Sequence, residues 1–133
     1  DIKKEGHIYP YHLSNPDDSR LPLRYAGLLF GNINADVCAN TGIYEGEDVV
    51  KQLLAGATTA QVVSTVYKNG IQQISKMVSA LEGWMDKKGY KDIESFRGKL
   101  SRKNINDPFV YKRAQYIDIL MKTSDVYKKY KLV

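Results

Sequence analysis

The sequence has little cysteine and no long apolar run, and both shortages narrow the class of protein. Cys38 is the one cysteine among 133 residues, so an intramolecular disulfide framework is excluded and a reducing cytoplasm is expected. No window approaches the roughly 18 consecutive apolar residues that a membrane-spanning helix needs, and we expect no membrane partner. The start at Asp1 lacks the apolar segment of a signal peptide. Because this residue is not Met, we expect that the amino terminus was cut, processed or left out.

The composition is that of a globular domain with a basic carboxy-terminal part. Hydrophobic residues make up 43% of the chain and charged residues 26%, a balance that does not indicate disorder. The net charge of +5 is unevenly distributed, since residues 97–133 hold ten of the twenty Lys and Arg but three of the fifteen acids. This region is either a solvated helical face or a surface that attracts nucleic acid or an acidic partner.

Apolar residues at helical spacing, bounded by glycine, predict most of the secondary structure. Residues 1–19 are turn-rich and predict a loop with a short extended piece around residues 7–11. The segments predicted as helical are 21–30, 46–55, a short turn from Ser64 to Gly70, 71–88, one turn at 92–96, 109–121 and 124–130.

Two short, mostly apolar runs predict parallel strands, one over residues 35–39 and one over residues 58–63. Strands buried on both faces have this composition, so Cys38 is expected to be a small buried side chain. The helix predicted at 46–55 lies between the two runs. The three elements together predict a βαβ unit with a right-handed crossover.

Small polar residues follow both predicted strands. Asn40-Thr41-Gly42 leads from the first strand into a helix, and Val63-Ser64-Thr65 leads from the second into a helical turn. Ligands of parallel α/β folds bind at the carboxyl ends of strands, and a glycine lets backbone N–H groups approach a phosphate. The two junctions are therefore either a phosphate site or merely tight connections. Asn40 either faces a ligand there or stabilises the turn.

The same residues resemble the end of class 1 dihydroorotate dehydrogenases, in an order and spacing sustained over about sixty residues. The resemblance is strongest to the branch called dihydroorotate dehydrogenase-like proteins, which carries a C-terminal extension similar to residues 101–133. The matching motifs are Ala39-Asn40-Thr41-Gly42-Ile43, Gly46-Glu47-Asp48, Leu53-Leu54-Ala55-Gly56-Ala57-Thr58, Gln61-Val62-Val63-Ser64, Tyr67-Lys68-Asn69-Gly70, Trp84-Met85, Gly89-Tyr90 and Phe96-Arg97-Gly98-Lys99-Leu100.

This resemblance implies an α/β fold and an FMN-dependent oxidation of dihydroorotate to orotate in pyrimidine synthesis. Residues 1–100 would form the C-terminal portion of a (β/α)8 barrel, with about two parallel strands and flanking helices, and residues 101–133 a basic helical extension. In the family, a Gly-Gly pair after strand seven and a Gly-Thr pair after strand eight hold the flavin phosphate. By position these pairs fall on Thr41 and Gly42 and on Val63 and Ser64. Thr41 fits there only with a negative φ or with strain.

The family's catalytic base, its flavin-contacting Lys and its orotate-binding Asn residues lie upstream of the matched region, so no catalytic residue is assigned. His7 and His12 are interpreted as surface residues, and no metal site is expected. We expect a fragment, inactive alone, whose parent acts on dihydroorotate or a related dihydropyrimidine and forms a homo-oligomer. The alternative is a non-catalytic basic α/β module that binds nucleic acid or an acidic partner through residues 97–133. Nucleic acid is the less favoured partner, because apolar residues there also recur at helical spacing.

Overall fold

The computed structural model describes residues 2–7 and 12–106, and these residues form an α/β arrangement. A short 3₁₀ helix, Pro16–Ser19, leads directly into the first α-helix. The elements then follow in the order α1 (Arg20–Leu29), β1 (Cys38–Ala39), α2 (Gly46–Ala55), β2 (Thr59–Ala60), α3 (Ser64–Asn69) and α4 (Gln72–Lys88). None of these helices is long and apolar enough to cross a membrane. Most of the extended piece predicted around residues 7–11, and both helices predicted beyond residue 106, lie outside the described residues.

The two strands pair in parallel, with Cys38 opposite Thr59. The pairing continues past the strand ends, where the N–H of Gln61 donates to the carbonyl oxygen of Ala39 at 2.7 Å. Because α2 lies between the strands in sequence, it provides the crossover that a parallel pair requires. The predicted α/β class and the predicted parallel pair are therefore confirmed.

The strands are shorter than predicted, and the expectation that they are buried on both faces is wrong. Each strand spans two residues. Ala39 is buried, whereas Cys38 and Thr59 are exposed. Successive side chains of a strand point to opposite faces, and within the described residues each strand has only the other as its neighbour. Cys38 therefore lies on the open face and is not the buried side chain that the apolar run predicts.

Helix α2 begins and ends where the sequence predicts, and its start is held by two acidic side chains. Glu45 and Asp48 form a reciprocal capping box at the first turn. One carboxylate oxygen of Asp48 accepts from the N–H groups of Tyr44 and Glu45, each at 3.1 Å, and the other accepts from Lys51 Nζ at 2.9 Å. Burial alone would raise the pKa of Asp48. The Lys51 ammonium and the two backbone N–H groups outweigh it and hold that pKa below its ordinary value of 3.8.

Glycines end the later helices, as predicted. Helix α3 stops at Gly70 and α4 stops at Gly89, which has a left-handed conformation with φ 72°. The N–H of Gly89 donates to the carbonyl oxygen of Asp86 at 3.1 Å, a pattern that satisfies the last carbonyls of a helix. The segment at 92–96 is a hydrogen-bonded turn, not a further α-helix, with the N–H of Phe96 donating to the carbonyl oxygen of Ile93 at 3.1 Å.

The core cluster around the strands holds four alanines beside two larger side chains. Its buried apolar members are Ala26, Ala39, Ile43, Ala55, Ala57 and Met77. A Cβ atom at Gly46 would lie 2.4 Å from the Cβ of Ala80, so α2 and α4 pack nearly backbone to backbone. A second cluster holds the carboxyl end of α4, where the buried ring of Phe96 lies 5.1 Å from those of Trp84 and Tyr90.

Replacing Asp48 with Asn is expected to lower the free energy of unfolding by about 0.5–1 kcal/mol near neutral pH. The charged carboxylate of Asp48 accepts from Lys51 and from two backbone N–H groups at the start of α2, and a neutral amide would weaken these bonds. The folded-state pKa of Asp48 is depressed. Its contribution is therefore present above the unfolded value and is lost as the pH falls through the folded value. Urea unfolding at decreasing pH should show the gap between the two proteins closing.

Glu47→Gln is the matched control, since Glu47 is an exposed acid of the same helical turn. We expect a smaller loss of stability from this variant. A gap that is independent of pH, or equal losses from the two variants, would contradict the role assigned to Asp48.

A candidate anion-binding cleft

The loops that follow β1 and β2 open into one cleft with a volume of about 710 Å³. Because the strands are parallel, their carboxyl ends lie at the same edge of the sheet, where ligands of such folds bind. All four residues predicted from the resemblance line this cleft. Its walls are residues 12–15, Asp18, residues 40–43 and residues 61–64.

The first wall turns sharply at Thr41 and Gly42, whose φ angles are 71° and 72°. A positive φ is uncommon for any residue other than glycine, and for a β-branched residue it is strained. The Thr41 hydroxyl donates to the side-chain oxygen of Asn40 at 3.0 Å. Thr41 therefore has the strained conformation with a positive φ and not the unstrained one with a negative φ. Asn40 stabilises the turn through this hydrogen bond and also lines the cleft.

Gly42 is buried because residues 15–19 lie directly on it. A Cβ atom at this position would be 2.4 Å from the backbone nitrogen of Ser19 and 2.9 Å from the carbonyl oxygen of Asn15. Both are backbone atoms, so a larger residue would have to displace the chain. Glycine is required here by close approach as well as by conformation.

The second wall comes from Val63 and Ser64. Val63, with φ −131° and ψ −62°, precedes α3, and its side chain is exposed. It therefore contributes to the cleft mainly through its backbone. Ser64 is the first residue of α3 and is buried, with its hydroxyl turned towards the loop of residues 12–15.

Ser14 joins the two walls. The N–H of Gly42 donates to the Ser14 hydroxyl oxygen at 3.3 Å. The hydroxyl oxygens of Ser14 and Ser64 lie 2.8 Å apart, and the N–H of Ser14 donates to the Ser64 hydroxyl oxygen at 3.0 Å. A backbone N–H and a hydroxyl from two different loops thus converge on one oxygen atom, and such convergence is what the oxygen of an anion requires.

A tyrosine and a lysine fix the backbone of the Ser14 loop. The Tyr44 hydroxyl donates to the carbonyl oxygen of Ser14, and Lys68 Nζ donates to the Tyr44 hydroxyl oxygen at 2.9 Å. The same ammonium lies 4.9 Å from the centre of the Tyr44 ring. The carbonyl of Tyr44 is in turn held by the Thr65 hydroxyl at 3.0 Å, so the loop is tied to the segment that precedes α2 and to α3.

Sequence reasoning missed the wall formed by Ser14, Asn15 and Asp18. A signal for its local shape exists, because Asn15 and Asp18 form a capping box around the 3₁₀ helix. No signal shows that this turn docks onto Gly42, since that contact joins residues far apart in sequence. His12 is exposed, as interpreted, but it also lines the cleft.

The basic region is described only up to residue 106. Within that part, Arg97 pairs with Glu94 at 2.5 Å and Lys99 Nζ donates to the Tyr90 hydroxyl at 2.8 Å. The tyrosines on which the nucleic-acid alternative depends lie beyond it. That alternative stays a prediction.

Comparison with known proteins shows a consistent set of relatives. No protein-family model matches the chain. It is 41% identical over 70 residues to a dihydroorotate dehydrogenase (fumarate) of Lachancea kluyveri, covering 53% of this chain and 22% of that protein. It is 42% identical over 59 residues to dihydroorotate dehydrogenase A (fumarate) of Lactococcus lactis, covering 44% and 19%. It is 33% identical over 69 residues to a probable dihydroorotate dehydrogenase A (fumarate) of Streptococcus pneumoniae, covering 52% and 22%.

The matched segment, about half of the chain, is thus homologous to oxidoreductase enzymes. The relatives are named dihydroorotate dehydrogenase (fumarate), which are class 1 dihydroorotate dehydrogenases, and the resemblance carried by the motifs is confirmed. The chain spans about a fifth of the length of these relatives.

Replacing Thr41 with Gly is expected to stabilise the protein. A left-handed conformation costs a non-glycine residue roughly 1–2 kcal/mol, and the added freedom of glycine in the unfolded chain cancels about 0.4–1 kcal/mol of the gain. We expect a net increase of up to about 1 kcal/mol in the free energy of unfolding, measured by urea denaturation.

Thr41→Ala separates the strain from the loss of the hydroxyl group. Alanine keeps the Cβ atom that clashes in this conformation, so it should not stabilise the chain. Stabilisation by alanine equal to that by glycine, or destabilisation by glycine, would show that strain at Thr41 is not the cause.

Proposed function

We propose that this cleft binds the phosphate group of FMN and that the chain is the C-terminal part of a dihydroorotate dehydrogenase-like flavin oxidoreductase. The parent protein would oxidise dihydroorotate to orotate in pyrimidine biosynthesis, or a related dihydropyrimidine to the corresponding pyrimidine. Thr41, Gly42, Val63 and Ser64 would be the cofactor-binding residues contributed by this chain.

One observation carries the proposal. The N–H of Gly42 and the hydroxyl of Ser64 come from loops that follow different strands, and both meet the same oxygen atom, the Ser14 hydroxyl. An oxygen that lies within hydrogen-bond distance of both a backbone N–H and a hydroxyl, at the carboxyl edge of a parallel sheet, occupies a position that suits a phosphate oxygen. Homology of this segment to dihydroorotate dehydrogenases supports FMN as the molecule that carries the phosphate.

The residues of the cleft fit a flavin phosphate. Its volume of about 710 Å³ is within the range of about 300–1,000 Å³ that is usual for sites of small molecules. The donor set is neutral, a backbone N–H and hydroxyl groups, so the phosphate would be bound by hydrogen bonds more than by direct ion pairing. Val63, whose side chain is exposed, would contribute its backbone N–H, since any residue but proline has one to donate.

When bound, FMN would supply the acceptor for the electrons removed from substrate. The residues described here hold and orient the phosphate end, and none of them is assigned to the reacting atoms. We therefore propose that this chain by itself does not turn over substrate.

The parent fold that suits these elements is a (β/α)8 barrel, in which loops after the last two strands commonly hold a phosphate. The parallel pair, its crossover helix α2 and the small-residue core agree with a segment of such a barrel. We propose that residues 1–100 are this segment, that residues 101–133 are an extension, and that the parent forms a homo-oligomer.

Flavin binding tests the proposal most simply. Binding to the chain should quench the fluorescence of FMN or raise its polarisation. Riboflavin, which lacks the phosphate, should show neither change at the same concentrations. Ser64→Ala should weaken FMN binding by roughly 10–100-fold, because hydrogen bonds to charged groups contribute about 1.5–3 kcal/mol. Riboflavin binding should not change.

Ser75→Ala is the matched control, since Ser75 is an exposed serine of α4 that does not line the cleft. Equal affinity for FMN and riboflavin would refute a phosphate site. Equal weakening by the two serine variants would refute the role of Ser64.

A further inference from the structure

We propose that Ser14 is a further phosphate ligand, whose hydroxyl lies between Gly42 and Ser64 in the free protein and turns to donate to the phosphate when FMN binds. This inference rests on the proposed function. It adds a residue that neither the motifs nor the resemblance indicates, from a loop that precedes α1.

The Ser14 hydroxyl lies at the point where the two walls meet. It accepts the N–H of Gly42 at 3.3 Å and lies 2.8 Å from the Ser64 hydroxyl oxygen. The Ser14 backbone N–H donates to that same Ser64 oxygen at 3.0 Å. A hydroxyl that accepts one hydrogen bond still has its own proton to donate, so Ser64 can donate to the Ser14 oxygen or to another oxygen in its place.

An anion at this point must compete for the N–H of Gly42, which carries a single proton. The existing bond of 3.3 Å is longer than the usual range for N–H donors, so its loss costs little. The Ser14 hydroxyl that gives up this bond becomes a donor beside the anion. Hydrogen bonds to a charged acceptor are roughly twice as strong as neutral ones, so the exchange favours binding and Ser14 is a ligand, not an obstacle.

The exchange requires rotation of one side chain and no movement of the loop. The carbonyl oxygen of Ser14 is held by the Tyr44 hydroxyl, and that hydroxyl is held by Lys68. The next residue, Asn15, packs its backbone against Gly42. With the backbone fixed on both sides, only the χ1 angle of Ser14 has to change.

The one acidic residue among the described lining residues is already engaged. A carboxylate oxygen of Asp18 accepts the N–H of Asn15 at 2.8 Å, within the capping box of the 3₁₀ helix. This bond turns the charge towards its own turn. Among the described lining residues, only the Asp18 carboxylate would repel an anion held at the Ser14 hydroxyl, and that carboxylate is already hydrogen-bonded.

The test measures the affinity of the full chain for FMN and for riboflavin in Ser14→Ala and in a matched pair, Ser14→Thr and Ser14→Val. Threonine and valine have nearly the same shape, and only threonine keeps the hydroxyl. Ser19→Ala is the control on the neighbouring turn, since the Ser19 hydroxyl donates to the carbonyl oxygen of Pro16. Circular dichroism verifies that each variant is folded.

We expect Ser14→Ala and Ser14→Val to bind FMN about tenfold more weakly than the natural chain, in line with the loss of one hydrogen bond to a charged group. Ser14→Thr and Ser19→Ala should bind FMN as the natural chain does, and riboflavin binding should not change in any variant. This ratio between FMN and riboflavin is a readout that a purely structural role would not alter.

Three results would overturn the inference. Unchanged or tighter FMN binding by the alanine and valine variants would make the Ser14 hydroxyl irrelevant or an obstacle. Equal losses for FMN and riboflavin, or equal losses in threonine and valine, would make its role structural. If the natural chain itself fails to prefer FMN to riboflavin, the proposed function fails and the inference fails with it, whereas the first two results would overturn the inference alone.

Discussion

The contact between Gly42 and the backbone of residues 15–19 is the constraint on which the candidate site depends. A single added carbon at Gly42 would lie 2.4 Å from the nitrogen of Ser19, so the turn after β1 and the turn before α1 touch through their backbones. That contact brings Ser14 to the N–H of Gly42 and to the hydroxyl of Ser64. Without it, the cleft would have two walls and an open side.

The parallel pairing of β1 and β2 supplies the other half of the arrangement. It sets the ends of two strands side by side, so the loop with Gly42 and the loop with Ser64 begin at one edge of the sheet. The pair is short and has one open face. A ligand site at the ends of the strands requires only this short pairing. The open face of the pair agrees with the proposal that the parent is a larger barrel.

The helices were predictable because their signals are local. The Gly46–Ala55 helix has its capping box and its terminal glycine within the helix and the residues that flank it. Helix α4 has Lys87 and Lys88 in its last turn and ends at Gly89. The burial of the strands was not predictable from the run that contains Cys38. Composition indicates which residues favour a buried strand, but burial depends on which neighbours are present, and the open face of β1 leaves Cys38 exposed.

The residues of the candidate site were likewise only partly predictable from the sequence. Thr41, Gly42, Val63 and Ser64 could be named from motif order, and all four line one cleft. Ser14 could not be named from the sequence, because its contacts with Gly42 and Ser64 join distant parts of the chain. The residues around it predict only a turn. Local patterns identify the loops of such a site, and tertiary packing decides which further side chain completes it.

A crystal structure of the chain with FMN would test the central claim most directly. We expect the phosphate to lie between the backbone nitrogen of Gly42 and the hydroxyl oxygen of Ser64, within hydrogen-bond distance of each, and the Ser14 hydroxyl to have turned towards it. A flavin whose phosphate lies outside this cleft, or a Gly42 N–H still bonded to Ser14 beside bound FMN, would contradict it.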